Sequence, residues 1–478
     1  MVFSSTLFVF VFLPLVLLIN WTFNLIPRII YRNTALLLAS LLFYTWGEAY
    51  YVLIILASIV LNYFFGLLLG RFGPKHRLIL GLGIAANLSL LIYYKYFNFL
   101  VDNLNAVIKL FDLSPLQTTP VHLPIGISFF TFQAISYLTD IYREKVKVQK
   151  NPLTMGMYIA MFPQLIAGPI VRYETVEDAL HKRSVSWEDY AAGAKLFIIG
   201  LAKKVIIADT MARAADHIAE LNHGDISTSL AWFFCLTYGL QIFFDFAGYS
   251  NMARGLGRIF GFHFPVNFNQ PYSSRSIKEF WRRWHISLST WFRDYVYIPL
   301  GGNRLSNART YGNLIIVFIL TGIWHGASWN FLLWGLIHGA FLIIERFSRI
   351  ENLLDRSPGI VRNAYVFLVV MPAWIFFRVE SISKAAPMAV HLFSPYFPTP
   401  YRPDMLLGYY IDSWFALVFT AGFIFSLVRW DNFRGRWNTV RENIPFVFLE
   451  NTALALLFLF SLAAVISKSY SPFIYFRF

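Results

Sequence analysis

Two histidines lie in apolar surroundings where an imidazole has chemistry to offer: His285 in WRRWHISLS and His325 in LTGIWHGASWN. With an unperturbed pKa of about 6.5, imidazole exchanges a proton near neutral pH and suits the work of a general base. Around His325 the chain supplies Trp324, Ser328 and Asn330, with Gly322 and Gly326 bracketing the Trp-His pair. Glycine there permits close backbone approach or a local break. Such a polar cluster inside an apolar run is a functional-site candidate by default. The alternative for each histidine is a buried ring with a satisfied hydrogen bond that tightens helix packing. His338 follows His325 by thirteen residues, roughly 20 Å along a continuous helix, and is expected to be structural.

Two carboxylates join the candidates. Asp245 shares a helix face with Tyr238, Gln241 and Tyr249 within the apolar run Leu230 to Ser250, and that face should look inward. A carboxylate there is costly unless paired, so Asp245 is either half of a structural pair, with Arg254 or Arg258, or part of a site. Asp294 either orients a reacting group or forms an interfacial salt bridge with Arg293 or Arg282. The single cysteine, Cys235, excludes an internal disulfide and a paired-cysteine metal site, and its apolar setting points to packing. The chain has no G-x-S-x-G elbow, P-loop, H-E-x-x-H or dinucleotide fingerprint.

The elements that must hold these residues belong to a membrane protein. The 478 residues are 57% hydrophobic and only 14% charged, and apolar runs long enough to cross a hydrocarbon core recur about eleven times. A net charge of +14 suggests nucleic acid in a soluble protein, but here the basic residues sit in short loops between apolar runs. Nine lysines and arginines lie in Arg28 to Arg32, Arg71 to Arg77 and Arg143 to Lys150, against only Lys109 in the alternate loops. Positive-inside topology then places the N-terminus outside and, with an odd number of spans, Phe478 inside. The first span lacks a basic leader and a cleavage site and is expected to be a retained anchor.

The expected fold is all-α, with about eleven transmembrane helices plus re-entrant and interfacial helices. It forms one domain over 1–478, with N-terminal helices over 1–100, a catalytic core over 120–345 and C-terminal helices over 346–478. Early spans are expected at Leu7 to Ile26, Ala35 to Trp46, Tyr51 to Gly70 and Leu78 to Tyr94, with Gly66 and Gly70 allowing another helix to come close. From Leu123 the runs are interrupted by Pro124, Pro163, Gly168 and Pro169, and non-helical backbone at membrane depth requires burial in protein or a water-filled cavity. Phe280, Trp281, Trp284, Leu288, Trp291 and Tyr295 make an aromatic stripe opposed by Lys278, Arg282, Ser289 and Arg293, the pattern of an amphipathic helix with His285 on its apolar side. Later spans follow at Asn313 to Ile344, Ala364 to Phe377, Trp414 to Val428 and Thr452 to Ile466.

The segments FWRRWHISLSTWFRDYVYIPLGGNR, GIWHGASWNFLLWGLIHG, FPQLIAGPI, FFDFAGYSNMARG and the terminal PFIYFRF together resemble the membrane-bound O-acyltransferase family, and within it the branch that serves alginate O-acetylation. The resemblance implies a ring of helices around a central tunnel and a catalytic histidine at His325, with His285 as the second signature residue. It implies an acetyl group arriving from a cytoplasmic donor, acetyl-CoA or a product of it, with no tightly bound cofactor and no metal. An extracytoplasmic hydroxyl receives it, and periplasmic acetyltransferase-like proteins carry it to a polysaccharide. A bacterial inner-membrane location follows. Peptidoglycan O-acetylation and D-alanyl transfer to teichoic acid are the alternatives within the family, and a transporter of a polymer secretion complex is the alternative outside it.

Overall fold

The computed structural model describes residues 2–26, 28–399, 402–429, 444–467 and 473–474. The expected placement of Phe478, and most of the PFIYFRF motif, lie outside the described residues. Among the described residues every regular element is helical. Five helical stretches are long and apolar enough to cross a bilayer: Ile29–Phe72, Arg77–Lys109, Thr228–Ile259, Gly359–Arg378 and Pro445–Ser467. Three shorter apolar helices, Phe8–Asn24, Trp329–Ile344 and Ser413–Leu427, accompany them. The protein is a multi-pass, all-α membrane protein. Length and apolarity alone do not establish a count of eleven spans, although the first stretch holds two helices, Ile29–Glu48 and Val52–Phe72, joined by a 3-10 turn at Ala49–Tyr51. Leu53, Phe448, Leu449 and Leu459 project outward, a surface suited to lipid and costly in water.

The chain divides into two compact units, Met1–Leu196 with Ala253–Pro265, and Phe197–Met252 with Val266–Phe478. In the first, Phe3, Phe8, Phe12, Phe43 and Phe162 pack ring on ring. Helices Val52–Phe72 and Arg77–Lys109 are joined by a reciprocal amide pair, Asn62 to Asn87 at 2.9 and 2.8 Å, which satisfies polar groups that hydrocarbon could not. The close approach expected at Gly66 is made by a side chain: Tyr137 Oη lies 2.9 Å from where a Cβ would stand. The expected broken backbone is present and buried. Helix Pro152–Ala160 stops at Met161, and Phe162–Leu165 adds a single turn, whose first N–H donates to Ser40 Oγ at 3.0 Å. Helix Ile127–Tyr142 begins after Gly126, where φ is +79° and a Cβ would stand 2.6 Å from the Leu165 carbonyl oxygen.

In the second unit two expectations of continuity fail. The aromatic stripe is not one amphipathic helix but two short ones, Ile277–Arg283 and Ile286–Phe292. Trp284 between them is extended, and His285 takes the left-handed conformation at φ +42°. The first starts on an N-cap, with Ser276 Oγ accepting from the Glu279 N–H at 2.9 Å, while the Glu345 carboxylate accepts from Ile277 and Lys278 N–H. Likewise Asn313 to Ile344 is no single span: it folds into a hairpin of helices Asn307–His325 and Trp329–Ile344, turning at Gly326 to Ser328. At the crossing of this hairpin the backbones touch. A Cβ on Gly335 would lie 2.3 Å from the Phe318 oxygen, and one on Gly322 2.4 Å from the Phe331 oxygen.

Candidate active site

His325 is the last residue of the first hairpin helix and is buried, 2% exposed. Its ring meets three aromatic neighbours nearly edge-to-face: Trp324 at 5.0 Å and 78°, Trp334 at 4.9 Å and 87°, and Phe377 at 5.1 Å and 71°. Trp334 comes from the returning hairpin helix and Phe377 from helix Gly359–Arg378. The imidazole is therefore fixed by rings whose edges and faces complement it. A site so dry strengthens any electrostatic stabilisation exerted within it. Asn330 does not face the imidazole through its amide; its Nδ2 donates to the Val379 carbonyl, tying the hairpin to the end of helix Gly359–Arg378.

His285 converges on the same place. Trp324 lies 5.9 Å from the His285 ring and 5.0 Å from that of His325, so the two signature imidazoles share one indole. His285 is fully buried, with Phe246 edge-on at 4.7 Å. What holds it is Asn267, a residue the sequence did not single out. The Asn267 carbonyl accepts the Ile286 N–H at 2.9 Å, and its side-chain Oδ1 accepts the Ser287 N–H at 3.1 Å and the Ser287 hydroxyl at 2.9 Å. Since a backbone N–H only donates, these contacts fix which end of the amide faces the break. His285 Nδ1, 3.2 Å from the same Oδ1, is then the protonated ring nitrogen of the neutral ring, and Nε2 carries the lone pair. Asn267 thereby sets the helix break, the ring orientation and the tautomer.

Asn267→Ala removes an acceptor from buried donors, at about 1–3 kcal/mol of stability, and frees the His285 ring. We expect kcat per folded molecule to fall with it, as in His285→Ala, and Asn267→Asp, which keeps an acceptor oxygen, to recover part of it. Unchanged kcat in both alanine variants would return His285 to a packing role.

The two candidate carboxylates stand elsewhere. Asp245 is paired with neither Arg254 nor Arg258; Lys204 Nζ lies 2.7 Å from Asp245 Oδ1 and 2.9 Å from Asp209 Oδ1, and the Ile474 N–H donates to Asp245 Oδ2 at 2.8 Å. Phe473 beside it packs on Tyr249 and Phe246, so this buried network anchors the C-terminal segment behind the ring that backs His285. Asp294 forms a two-pronged pair with Arg293, at 2.6 and 3.1 Å. Its hydrogen bond and charge raise the Arg293 pKa above the ordinary value, so Arg293 stays a cation.

That cation helps to line a cavity of about 550 Å³ with Lys278, Arg282, Trp281, Phe318 and Thr321. Thr321 lies one helical turn before His325. The cavity thus sets three cations beside apolar walls, and His325 itself is not among its lining residues. Among the described residues no group of three or more His, Cys, Asp or Glu side chains could hold a metal.

Residues 117–378 match the profile described as "MBOAT, membrane-bound O-acyltransferase family". The chain is 46% identical over 400 residues to a "probable alginate O-acetylase AlgI" of Azotobacter vinelandii, covering 82% of this chain and 78% of that protein. It is 40% identical to a protein of the same description from Pseudomonas putida, covering 100% of both chains. A "peptidoglycan O-acetyltransferase" of Helicobacter pylori is 38% identical, over 80% of this chain and 78% of that protein.

Proposed function

This chain belongs to the membrane-bound O-acyltransferase family, and from that premise we propose that it moves an acetyl group from a cytoplasmic donor to an extracytoplasmic hydroxyl, with His325 as the general base. The observation that carries the reading is the convergence of His285 and His325 on Trp324 in a buried aromatic cage. The donor is acetyl-CoA or a thioester derived from it, a substrate and not a resident cofactor. Its phosphates suit the cations Lys278, Arg282 and Arg293 that line the cavity, and in this reading its acyl end passes Thr321 toward His325.

In the transfer step the acceptor hydroxyl gives its proton to the His325 imidazole as its oxygen attacks the acyl carbon. The new C–O bond forms, the C–S bond breaks, and the proton passes from the imidazolium to the departing thiolate. His285, held through Nδ1 by Asn267, orients the acyl group and polarises its carbonyl when Nε2 carries a proton. The basic side of the protein faces the cytoplasm, which places the N-terminus outside in a bacterial inner membrane.

The acceptor is proposed from the relatives. The names of the Azotobacter and Pseudomonas proteins favour a uronate exopolysaccharide such as alginate, reached through periplasmic acetyltransferase-like partners. The Helicobacter relative supports peptidoglycan as the second reading. The test uses inverted membrane vesicles containing the chain and its periplasmic partners, supplied with labelled acetyl-CoA on the exposed cytoplasmic face. Label should appear as base-labile ester on uronate polymer inside the vesicles. Ester on peptidoglycan fragments alone would shift the acceptor to the second reading, and label on neither would overturn acetyl transfer.

A further inference from the structure

We infer that His338 is a further substrate-binding residue, an imidazole that hydrogen-bonds the amide-bearing arm of the acyl donor at the inner wall of the cationic cavity; this rests on the acyltransferase reading above. The sequence places His338 far from His325 only if the helix between them is continuous. The hairpin brings it back. Trp334 touches both rings, that of His325 at 4.9 Å and that of His338 at 5.0 Å.

His338 is fully buried, yet no described residue stands within hydrogen-bond distance of either ring nitrogen. A neutral imidazole carries one donor and one acceptor, and buried polar atoms are as a rule partnered. Packing alone gives little reason for an imidazole here, since the rings it packs on are aromatic: Phe280 stacked at 6.1 Å, Trp281 edge-on at 5.1 Å, and Trp334. A phenylalanine would satisfy the same contacts without leaving two polar atoms unmet.

Trp281 indicates what meets them. Its indole separates His338 from the cavity, whose wall it forms together with Phe318 and with Leu342, one turn beyond His338 on the same helix. Binding as inferred requires the Trp281 indole, which also packs on Phe280, Phe318 and Trp334, to turn aside and open His338 to the cavity. The ligand that fits has a phosphorylated head for Lys278, Arg282 and Arg293, a neutral arm with hydrogen-bonding amides for the apolar wall of Trp281, Phe318 and Leu342, and an acyl thioester at its end. The amide N–H and C=O of such an arm match the acceptor and donor of the ring.

The test compares wild type, His338→Phe and His338→Gln as purified full-length protein, with acetyl-CoA as the varied substrate. The phenylalanine keeps the ring volume and its aromatic neighbours while removing both nitrogens. We expect its KM for acetyl-CoA to rise about three- to tenfold, the worth of one neutral hydrogen bond, with kcat nearly unchanged, and glutamine to restore much of the loss. A KM equal to wild type in His338→Phe would overturn the inference and leave acyl transfer standing. A wild-type protein that turns over no acetyl-CoA would overturn the donor reading itself, and this inference with it.

Discussion

Lys204→Met is expected to destabilise the folded protein by about 3–5 kcal/mol, the cost of removing one partner from a buried ion network. Lys204, Asp209 and Asp245 are each no more than 6% exposed at the side chain, and the single ammonium lies between the two carboxylates. Without it, one carboxylate must take a proton or face the other in a medium of low dielectric. The effect should extend to the C-terminal segment, because Asp245 also accepts the Ile474 N–H. Thermal melting in detergent should show Lys204→Met well below the parent, with the triple variant Lys204→Met, Asp209→Asn, Asp245→Asn recovering much of the difference, since replacing a whole buried network costs less than breaking it. A Lys204→Met protein that melts with the parent would show that the network carries little of the stability.

That network was half legible. An aspartate inside an apolar helix announces a partner, and sequence reasoning sought it among nearby arginines. Arg254 lies nine residues on from Asp245, about 14 Å along a helix, too far for its guanidinium to return to the same face. The partner is Lys204, forty-one residues earlier in the chain, and no local pattern carries that pairing. Asn267 escaped notice for the same reason: an asparagine in a polar loop is ordinary, and its importance comes from capping a helix break eighteen residues away.

The helix break itself was hidden by periodicity. WRRWHISLSTWF keeps apolar residues at helical spacing straight through Trp284 and His285, and what overrides that pattern is the set of hydrogen bonds to Asn267. At the hairpin Gly322, Gly326 and Ser328 were a stronger hint, but the run from Asn313 to Ile344 is apolar enough to pass for one span. The turn decided the position of His338, expected to be remote and found beside Trp334. The candidate histidines themselves were legible, since an imidazole in hydrocarbon is costly without a purpose, and the resemblance to a known family distinguished them.

His325→Ala is expected to lower acetyl transfer per folded molecule by about 10²- to 10⁴-fold, the usual contribution of a general base. The ring fills a space between Trp324, Trp334 and Phe377, so its truncation also leaves a cavity and lowers stability. His325→Gln separates the two effects, because it fills most of the volume and hydrogen-bonds but does not take up a proton near neutral pH. If the imidazole acts as the base, both variants lose turnover together although their melting temperatures differ; if it only packs, turnover follows the folded fraction. The most direct measurement is the rate of labelled acetyl transfer to the extracytoplasmic acceptor by His325→Gln, normalised to folded protein. A fall of about 100-fold or more is the predicted result, and a rate within about threefold of wild type, far short of a general base's contribution, would contradict it.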